Sequence, residues 1–325
     1  MIPMPFFQDR PVLVIGGLGF IGVNLTARLV AERARLTVLT PVRERHSEPA
    51  DAFERQGVRI VEGDLRDPGV MPALVAGQDV VINLSGQSGA VRSMEDPWTD
   101  LDVNLRGTLM VLEALRDRNP RAKYVSVGSR LEYGKPASLP AAEDDLGAPL
   151  CLHAIHKRTI EDYLRLYGQL FGLRYSVARV TNPYGPGQPS GRTAYGVINH
   201  MIHLAIGGQP IPIYGDGTQL RDYIHVDDVV GALLALAASP GADGRIYNVG
   251  TGKGVGLVDV ATQVIAIAGG GRIAHVDWPP LAAQIETGDF VADVSRIRRE
   301  IGWAPAIGLG EGLSQTVAFY RSHAS

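Results

Sequence analysis

Three glycines that follow a short apolar run have the spacing of a phosphate-binding turn. The run covers residues 12–15, and the glycines after it are Gly16, Gly19 and Gly22. Glycine allows a tight turn and a close approach of the backbone to a pyrophosphate, whose charge the N–H groups at the start of a following helix would meet. That helix would begin at Phe20 and Ile21. The segment predicts a site for a dinucleotide, NAD or NADP.

The residues after the predicted second strand leave the choice of cofactor open. An NAD site usually has an Asp or Glu here that binds the ribose 2′-hydroxyl, whereas this chain has Thr40. Arg43 and Arg45 follow, and a guanidinium at this place would suit the extra phosphate of NADP. A solvated loop is the equal alternative for both arginines.

A further cofactor contact is predicted after the third strand. Asp64 could accept a hydrogen bond from the adenine amino group, with Leu65 beside it in the same site. An aspartate that only stabilises a turn is the other interpretation, and the residue taken alone favours it.

The elements that must position these residues alternate along the first half of the chain. Short β-branched runs followed by amphipathic segments are typical of a parallel sheet with helices on both faces. Strands are predicted over residues 12–15, 36–39, 58–61, 80–84, 124–127 and 175–179. Helices are predicted over residues 21–32, 101–116 and 155–171. We therefore expect an α/β fold built on a Rossmann-type, doubly wound parallel sheet.

The regular alternation stops after Asn182, where Pro- and Gly-rich segments flank a helix predicted over residues 197–206. We predict an NAD(P)-binding domain over residues 1–181 and a smaller C-terminal substrate-binding domain over residues 182–325. A buried strand near residues 246–249 would return to the first sheet.

Composition narrows the class of partner. The net charge of -3, without a run of basic residues, argues against nucleic acid. Cys151 is the one cysteine, so no intramolecular disulfide forms, and no Cys/His cluster has zinc-ligand spacing, so no metal is expected. No apolar stretch approaches the ~20 residues needed to span a bilayer. We expect a cytoplasmic protein that binds a small molecule and no membrane.

Longer motifs make the chain resemble a known family over nearly its whole length. They cover residues 83–86, 102–108, 179–187, 214–228, 247–252 and 301–305. With the glycine turn, they resemble the extended short-chain dehydrogenase/reductases, which epimerise, dehydrate or reduce nucleotide sugars. The resemblance implies NAD(P)-dependent epimerisation of a nucleotide-activated sugar through transient oxidation at a ring carbon. Dehydratase and 4-ketoreductase activities on the same substrate class are the alternatives.

The resemblance also assigns binding residues by motif position. It implies that the cofactor contacts Leu84, Ser85, Gly86, Asn104, Lys157 and Thr181. It implies that the substrate contacts Gln87, Ser129, Arg130, His153, Asn182 and Arg221. Asn182 and Arg221 would hold the diphosphate, and a surface ion pair with Asp222 is the other interpretation of Arg221. Family members often carry an arginine just before the Gly-Asp of the C-terminal segment, where this chain has Glu286.

The catalytic group implied by the resemblance contains one departure. Ser129 and Lys157 match the family's serine and lysine, but His153 stands four residues before Lys157, where the family has its tyrosine. An unperturbed imidazole titrates near ~6.5 and can exchange protons at neutral pH, and Lys157 would lower its pKa further. In the competing account His153 is a polar filler, and the protein is a catalytically silent binder of cofactor and nucleotide sugar. His156 faces another side of the helix, so we interpret it as a surface or packing residue.

The resemblance finally implies a homodimer in which the helices at residues 101–116 and 155–171 pair with their copies. Leu105, Leu109 and Leu112 form an apolar stripe consistent with this interface, and ordinary packing against the sheet is the alternative.

Overall fold

The structure is a computed structural model that describes residues 6–42, 44–188 and 196–323. Its strands are β1 (Pro11–Ile15), β2 (Arg35–Thr40), β3 (Arg59–Glu62), β4 (Val80–Asn83), β5 (Lys123–Ser129), β6 (Arg174–Val180), β7 (Asn182–Tyr184), β8 (Pro210–Tyr214), β9 (Leu220–His225), β10 (Arg245–Val249), β11 (Gly254–Gly256) and β12 (Arg272–Val276). Seven of them form a parallel sheet in the order β3-β2-β1-β4-β5-β6-β10. This sheet confirms the predicted α/β class with a doubly wound parallel sheet.

Helices cover both faces of the sheet. They are α1 (Phe20–Ala31), α2 (Ser47–Arg55), α3 (Met71–Val75), α4 (Ala90–Glu95), α5 (Pro97–Asp100), α6 (Gly107–Arg118), α7 (Leu152–Phe171), α8 (Val197–Ile206), α9 (Val226–Ala238), α10 (Leu257–Ala268), α11 (Pro280–Gln284), α12 (Ser295–Ile301) and α13 (Leu309–Ser322). One apolar core joins the sheet to α1 and α9, and a second joins its other face to α3, α6 and α7. Because both faces are covered, the central strands read as nearly continuous apolar runs, such as the buried Val80–Asn83.

The chain after β6 forms smaller units beside the main sheet. β7, β9 and β11 make a three-stranded sheet, and β8 pairs with β12. A third apolar core lies among α8, α10 and α13. β10 leaves this region and pairs with β6 at the edge of the main sheet. A domain division at residue 182 stays a prediction.

Two helix predictions need correction. The predicted helix at residues 101–116 is preceded by α5, and its first part, Leu101–Arg106, is a π-helical segment that leads into α6. α7 begins at Leu152 rather than at residue 155. The earlier start matters because it places His153 inside the first turn of the helix.

The predicted leucine stripe packs inside the protein. Leu112 is completely buried, and Leu105 and Leu109 pack against the second core. The stripe is therefore part of the sheet-facing side of α6, which corrects its assignment to a dimer surface. Among the described helices, none is long and apolar enough to cross a bilayer.

Candidate active site

The glycine turn between β1 and α1 fits a pyrophosphate. Gly16 has φ +79°, and a Cβ there would lie 3.0 Å from the backbone nitrogen of Ser85. A Cβ on Gly22 would collide with the carbonyl oxygen of Gly16. Gly19 is the N-cap of α1, and no side chain of the described residues caps the helix, so the N–H groups at Phe20 and Ile21 are available to an anion.

The adenosine side of the turn is less clearly built. Thr40 ends β2 as a buried residue. Arg43 lies outside the described residues, and the same holds for the side chain of Arg45, whose backbone belongs to a short 3-10 turn. Neither arginine prediction is therefore addressed by the structure.

Asp64 already has a strong partner in Arg66. The Arg66 guanidinium donates to both carboxylate oxygens at 2.6–3.0 Å, and this pairing lowers the pKa of Asp64. Leu65 is buried in the second core, directly against Gly107. An adenine contact by Asp64 would share the carboxylate with Arg66, and it stays a prediction.

The segment after β4 is fixed from two sides. The Asn83 side-chain oxygen accepts from the backbone N–H of Ser85 at 3.0 Å and from its hydroxyl at 2.5 Å. A Cβ on Gly86 would collide with Asn104 Oδ1, and Asn104 Nδ2 donates to the carbonyl oxygen of Gln87 at 3.0 Å. Asn104 thus holds the loop that follows Leu84 against the start of the helical segment.

Lys157 lies between the ends of β4 and β5. Its ammonium donates to the Val127 carbonyl oxygen at 2.8 Å and is 3.8 Å from where a Cβ on Gly86 would lie. Burial lowers the pKa of Lys157, and the charges of Glu132 and Asp100 oppose that shift. The ammonium is consequently placed at the carboxyl edge of the sheet, where α/β proteins bind ligands.

Ser129 ends β5 and begins a 3-10 turn. Its hydroxyl accepts from the N–H of Leu131 at 3.2 Å, while its own N–H donates to the Glu132 carboxylate at 2.6 Å. The serine hydroxyl keeps its proton for another acceptor, since this cap uses only its lone pair.

His153 is buried in the first turn of α7, only 4% exposed. Lys157 follows one helical turn later on the same face. Burial lowers the pKa of His153, the nearby Lys157 charge adds to this, and Asp100 opposes it. Nδ1 of the ring lies 3.6 Å from Asp100 Oδ2.

Asp100 was missed by the sequence analysis. It ends α5, is 0% exposed, and accepts from Nδ1 of His156 at 2.6 Å through Oδ1. His156 is therefore a buried packing residue, and the surface interpretation of it is wrong. A signal was present, because Asp100 stands four residues before Asn104 and would share its helical face.

Arg130 connects β5 to the C-terminal part of the site. Its Nε donates to Asn182 Oδ1 at 2.8 Å, and its Nη1 donates to the Thr287 hydroxyl at 2.9 Å. Asn182 Nδ2 in turn donates to the Asp222 carbonyl oxygen at 2.9 Å. Burial and the nearby Arg221 charge lower the pKa of Arg130 to about 10. Two guanidinium groups therefore meet in one partly enclosed place.

Arg221 forms an ion pair with Glu286 and donates to the Gly288 carbonyl oxygen at 2.7 Å. The alternative pairing with Asp222 is wrong, because that buried carboxylate accepts instead from the backbone N–H groups of Thr251 and Gly252. Glu286, the departure from the family motif, is thus the carboxylate that neutralises Arg221.

The remaining predicted residues have structural contacts. The Gln87 amide donates to the Asp96 carbonyl oxygen at 3.2 Å and so holds the loop before α5. The Thr181 N–H donates to the Val249 carbonyl oxygen at 3.0 Å, and its buried hydroxyl has no hydrogen-bond partner within the described ranges. No cluster of ligating side chains in the described part of the chain could hold a metal ion.

Comparison with known proteins identifies the family. The model of the NAD dependent epimerase/dehydratase family matches residues 12–250, from β1 to the end of β10. The chain belongs to this family. Its cofactor is NAD, and the open choice between NAD and NADP is settled by the family and not by Thr40 or the arginines after it.

Individual members of the NAD-dependent epimerase/dehydratase family match over nearly their whole length. UDP-glucose 4-epimerase of Mycolicibacterium smegmatis is 33% identical, across 95% of this chain and 98% of that protein. dTDP-glucose 4,6-dehydratase of Streptomyces griseus is 29% identical, across 97% and 95%. The solved UDP-glucose 4-epimerase of Thermus thermophilus in complex with NAD superposes with a TM-score of 0.83 at 31% identity, across 96% and 99%.

Proposed function

We propose that this family member epimerises a nucleotide-activated sugar by transient oxidation at a ring carbon, with His153 in place of the family tyrosine as the acid/base. The observation that carries the proposal is a buried imidazole one helical turn before the buried ammonium of Lys157. Similar proteins of this family include a UDP-glucose 4-epimerase and a dTDP-glucose 4,6-dehydratase, which supports a nucleotide sugar as the substrate class.

The proposed roles follow from charge and hydrogen bonding. A neutral imidazole accepts the sugar hydroxyl proton, and the lowered pKa of His153 keeps the ring neutral at pH 7. Ser129 orients the reacting oxygen with its free hydroxyl proton. Lys157 keeps a positive charge beside the reaction and fixes the nicotinamide ribose. NAD, when bound, supplies the hydride acceptor for the ring carbon.

We assign the diphosphate to Arg130, Asn182 and Arg221. The two guanidinium groups carry more positive charge than Glu286 neutralises, so the place favours an anion. Gln87 is assigned to the loop before α5, and its contact with the sugar would come from the backbone.

Dehydration and 4-ketoreduction begin with the same contacts, and both stay open beside epimerisation. All three need an acid/base next to the reacting carbon and a diphosphate site. They differ in what happens after the first proton transfer. Product analysis by NMR separates them, because a dehydratase loses water and a reductase consumes NADH in stoichiometric amounts.

A catalytically silent binding protein is the alternative of another class, since the family tyrosine is absent. The test is incubation of the NAD-loaded protein with a panel of UDP- and dTDP-sugars. We expect turnover that disappears in His153→Ala and survives in His153→Tyr. Tight binding of NAD without turnover of any sugar would contradict the proposal in favour of the silent binder.

We also propose a homodimer formed through α7 and the neighbouring α5. The support is a set of exposed apolar side chains on these elements, namely Trp98 at 77%, Leu170 at 64%, Leu166 at 48% and Ile155 at 43%. A cytoplasmic location, for a chain whose single thiol is buried, and the domain division at residue 182 belong to the same proposal.

A further inference from the structure

One buried carboxylate contacts two histidines of α7. Asp100 Oδ1 lies 2.6 Å from His156 Nδ1, and Asp100 Oδ2 lies 3.6 Å from His153 Nδ1. Within the described residues, neither Asp100 Oδ2 nor His153 Nδ1 has a hydrogen-bond partner, although both atoms are buried. A buried donor and acceptor without other partners are costly, so a small closing movement that joins them is favourable.

We propose that Asp100 is the positioning residue of His153. Its carboxylate selects the tautomer with hydrogen on Nδ1, leaves the Nε2 lone pair as the proton acceptor, and stabilises the imidazolium that forms. In that step the sugar O–H bond breaks and an Nε2–H bond forms, while Asp100 stays ionised. This inference rests on the proposed function, because it concerns how the same acid/base is prepared.

His156 is the partner that holds the carboxylate in place. Burial acts to raise the pKa of Asp100, but hydrogen bonds from His153, His156 and Asn104 outweigh it, so the pKa lies below its usual value. The carboxylate is therefore charged at neutral pH. With Oδ1 fixed by His156, Oδ2 is directed at His153 and the ring cannot turn without losing this contact.

The charges around His153 oppose one another. Lys157 and His156 face it from α7, and Asp100 faces it from α5. Glu132, in the turn after β5, acts on Lys157 and is one step further away. Lys157 favours the neutral ring before reaction, whereas Asp100 limits the cost of the charged ring during it. A phenol would not need such a carboxylate, but an imidazole gains from it.

The first experiment uses the wild-type protein and needs no turnover. A long-range ¹H–¹⁵N spectrum of the histidine-labelled, NAD-loaded chain reports which ring nitrogen carries the proton, with His153 assigned by its loss in His153→Tyr. We expect hydrogen on Nδ1 of His153 at pH 8. Hydrogen on Nε2 would overturn the proposal, whatever activity the protein has.

The second experiment is Asp100→Asn. We expect kcat to fall by about 10²–10⁴-fold, KM to change by less than about threefold, and the His153 hydrogen to move to Nε2. Asp117→Asn, an exposed aspartate on α6, is the matched control and should leave all three unchanged. Thermal unfolding of both variants verifies that they are folded.

A double variant separates positioning from a structural role. In a His153→Tyr background no imidazole needs orientation, so Asp100→Asn should lower kcat by less than about threefold. Equal losses in the two backgrounds would overturn the proposal. If no nucleotide sugar is turned over by any of these proteins, the proposed function fails, and the tautomer of His153 in wild type and Asp100→Asn still decides the role of Asp100.

Discussion

Arg221 and Glu286 form an ion pair in the part of the site assigned to the diphosphate. Arg221 is 7% exposed, and the backbone carbonyls of Leu220 and Gly288 accept from the same guanidinium. A substrate phosphate that binds Arg221 has to compete with the Glu286 carboxylate. The departure from the family motif therefore lowers the affinity of the site for anions without removing its arginine.

The first prediction is that Glu286→Gln tightens substrate binding. Loss of the competing negative charge should lower the Kd for the nucleotide sugar by about three- to tenfold, which is about 0.7–1.4 kcal/mol. Isothermal titration calorimetry with UDP-glucose and UDP measures it. Glu48→Gln, an exposed carboxylate on α2, is the control and should leave the Kd unchanged. Weaker binding in Glu286→Gln would mean that Glu286 contacts the substrate directly.

The second prediction concerns the glycine turn. In Gly22→Ala the new methyl group collides with the Gly16 carbonyl oxygen, so α1 has to move away from the turn that binds the pyrophosphate. We expect the Kd for NAD to rise by at least about tenfold. Gly310→Ala places the same methyl group where nothing lies within 4 Å, in the first turn of α13, and is the matched control. Fluorescence titration with NADH measures both, and equal affinities would contradict the predicted site.

The third prediction is a pH profile with an acidic limit below the usual histidine range. His153 acts as a base when neutral, and burial and Lys157 lower its pKa. The rate should therefore stay on its plateau as the pH falls to about 6.5 and decline only below it. The unfolded chain takes up the proton at the usual pKa, so the free energy of unfolding also decreases as the pH falls below about 6.5.

Lys157→Met tests the cause of that shift. Removal of the positive charge should raise the pKa of His153, which histidine NMR titration measures without turnover. Arg158→Met, at the next position of α7, is the control. If the His153 titration does not move in Lys157→Met, burial alone sets the pKa.

The main sheet could be predicted from the sequence because its strands are buried on both faces. Residues 80–84, for example, read as one apolar run and correspond to β4. The start of α7 was misplaced for a physical reason. Its N-cap is Cys151, whose side chain makes no capping hydrogen bond, so the usual signal of a Ser, Thr, Asp or Asn is absent.

Part of the site could not be predicted because it depends on contacts distant in sequence. Aspartate is rarely buried, and Asp100 is stable in the core only because His153 and His156 approach it from α7. The same holds for Glu286, which meets Arg221 across 65 positions. By contrast, Asp96 caps α5 through the N–H of Thr99 and precedes Pro97, a start signal that was present in the sequence.

The last prediction tests the proposed dimer. Leu170 on α7 is 64% exposed, and Leu166 lies one turn before it, so a second copy of α7 could cover both. We expect Leu170→Glu to weaken self-association by at least about tenfold, since a buried unpaired carboxylate opposes the interface. Sedimentation velocity over a concentration series measures it. Val197→Glu places the same charge at an exposed apolar position of α8 and should leave the association unchanged, whereas a wild-type chain that is monomeric at every concentration contradicts the dimer itself.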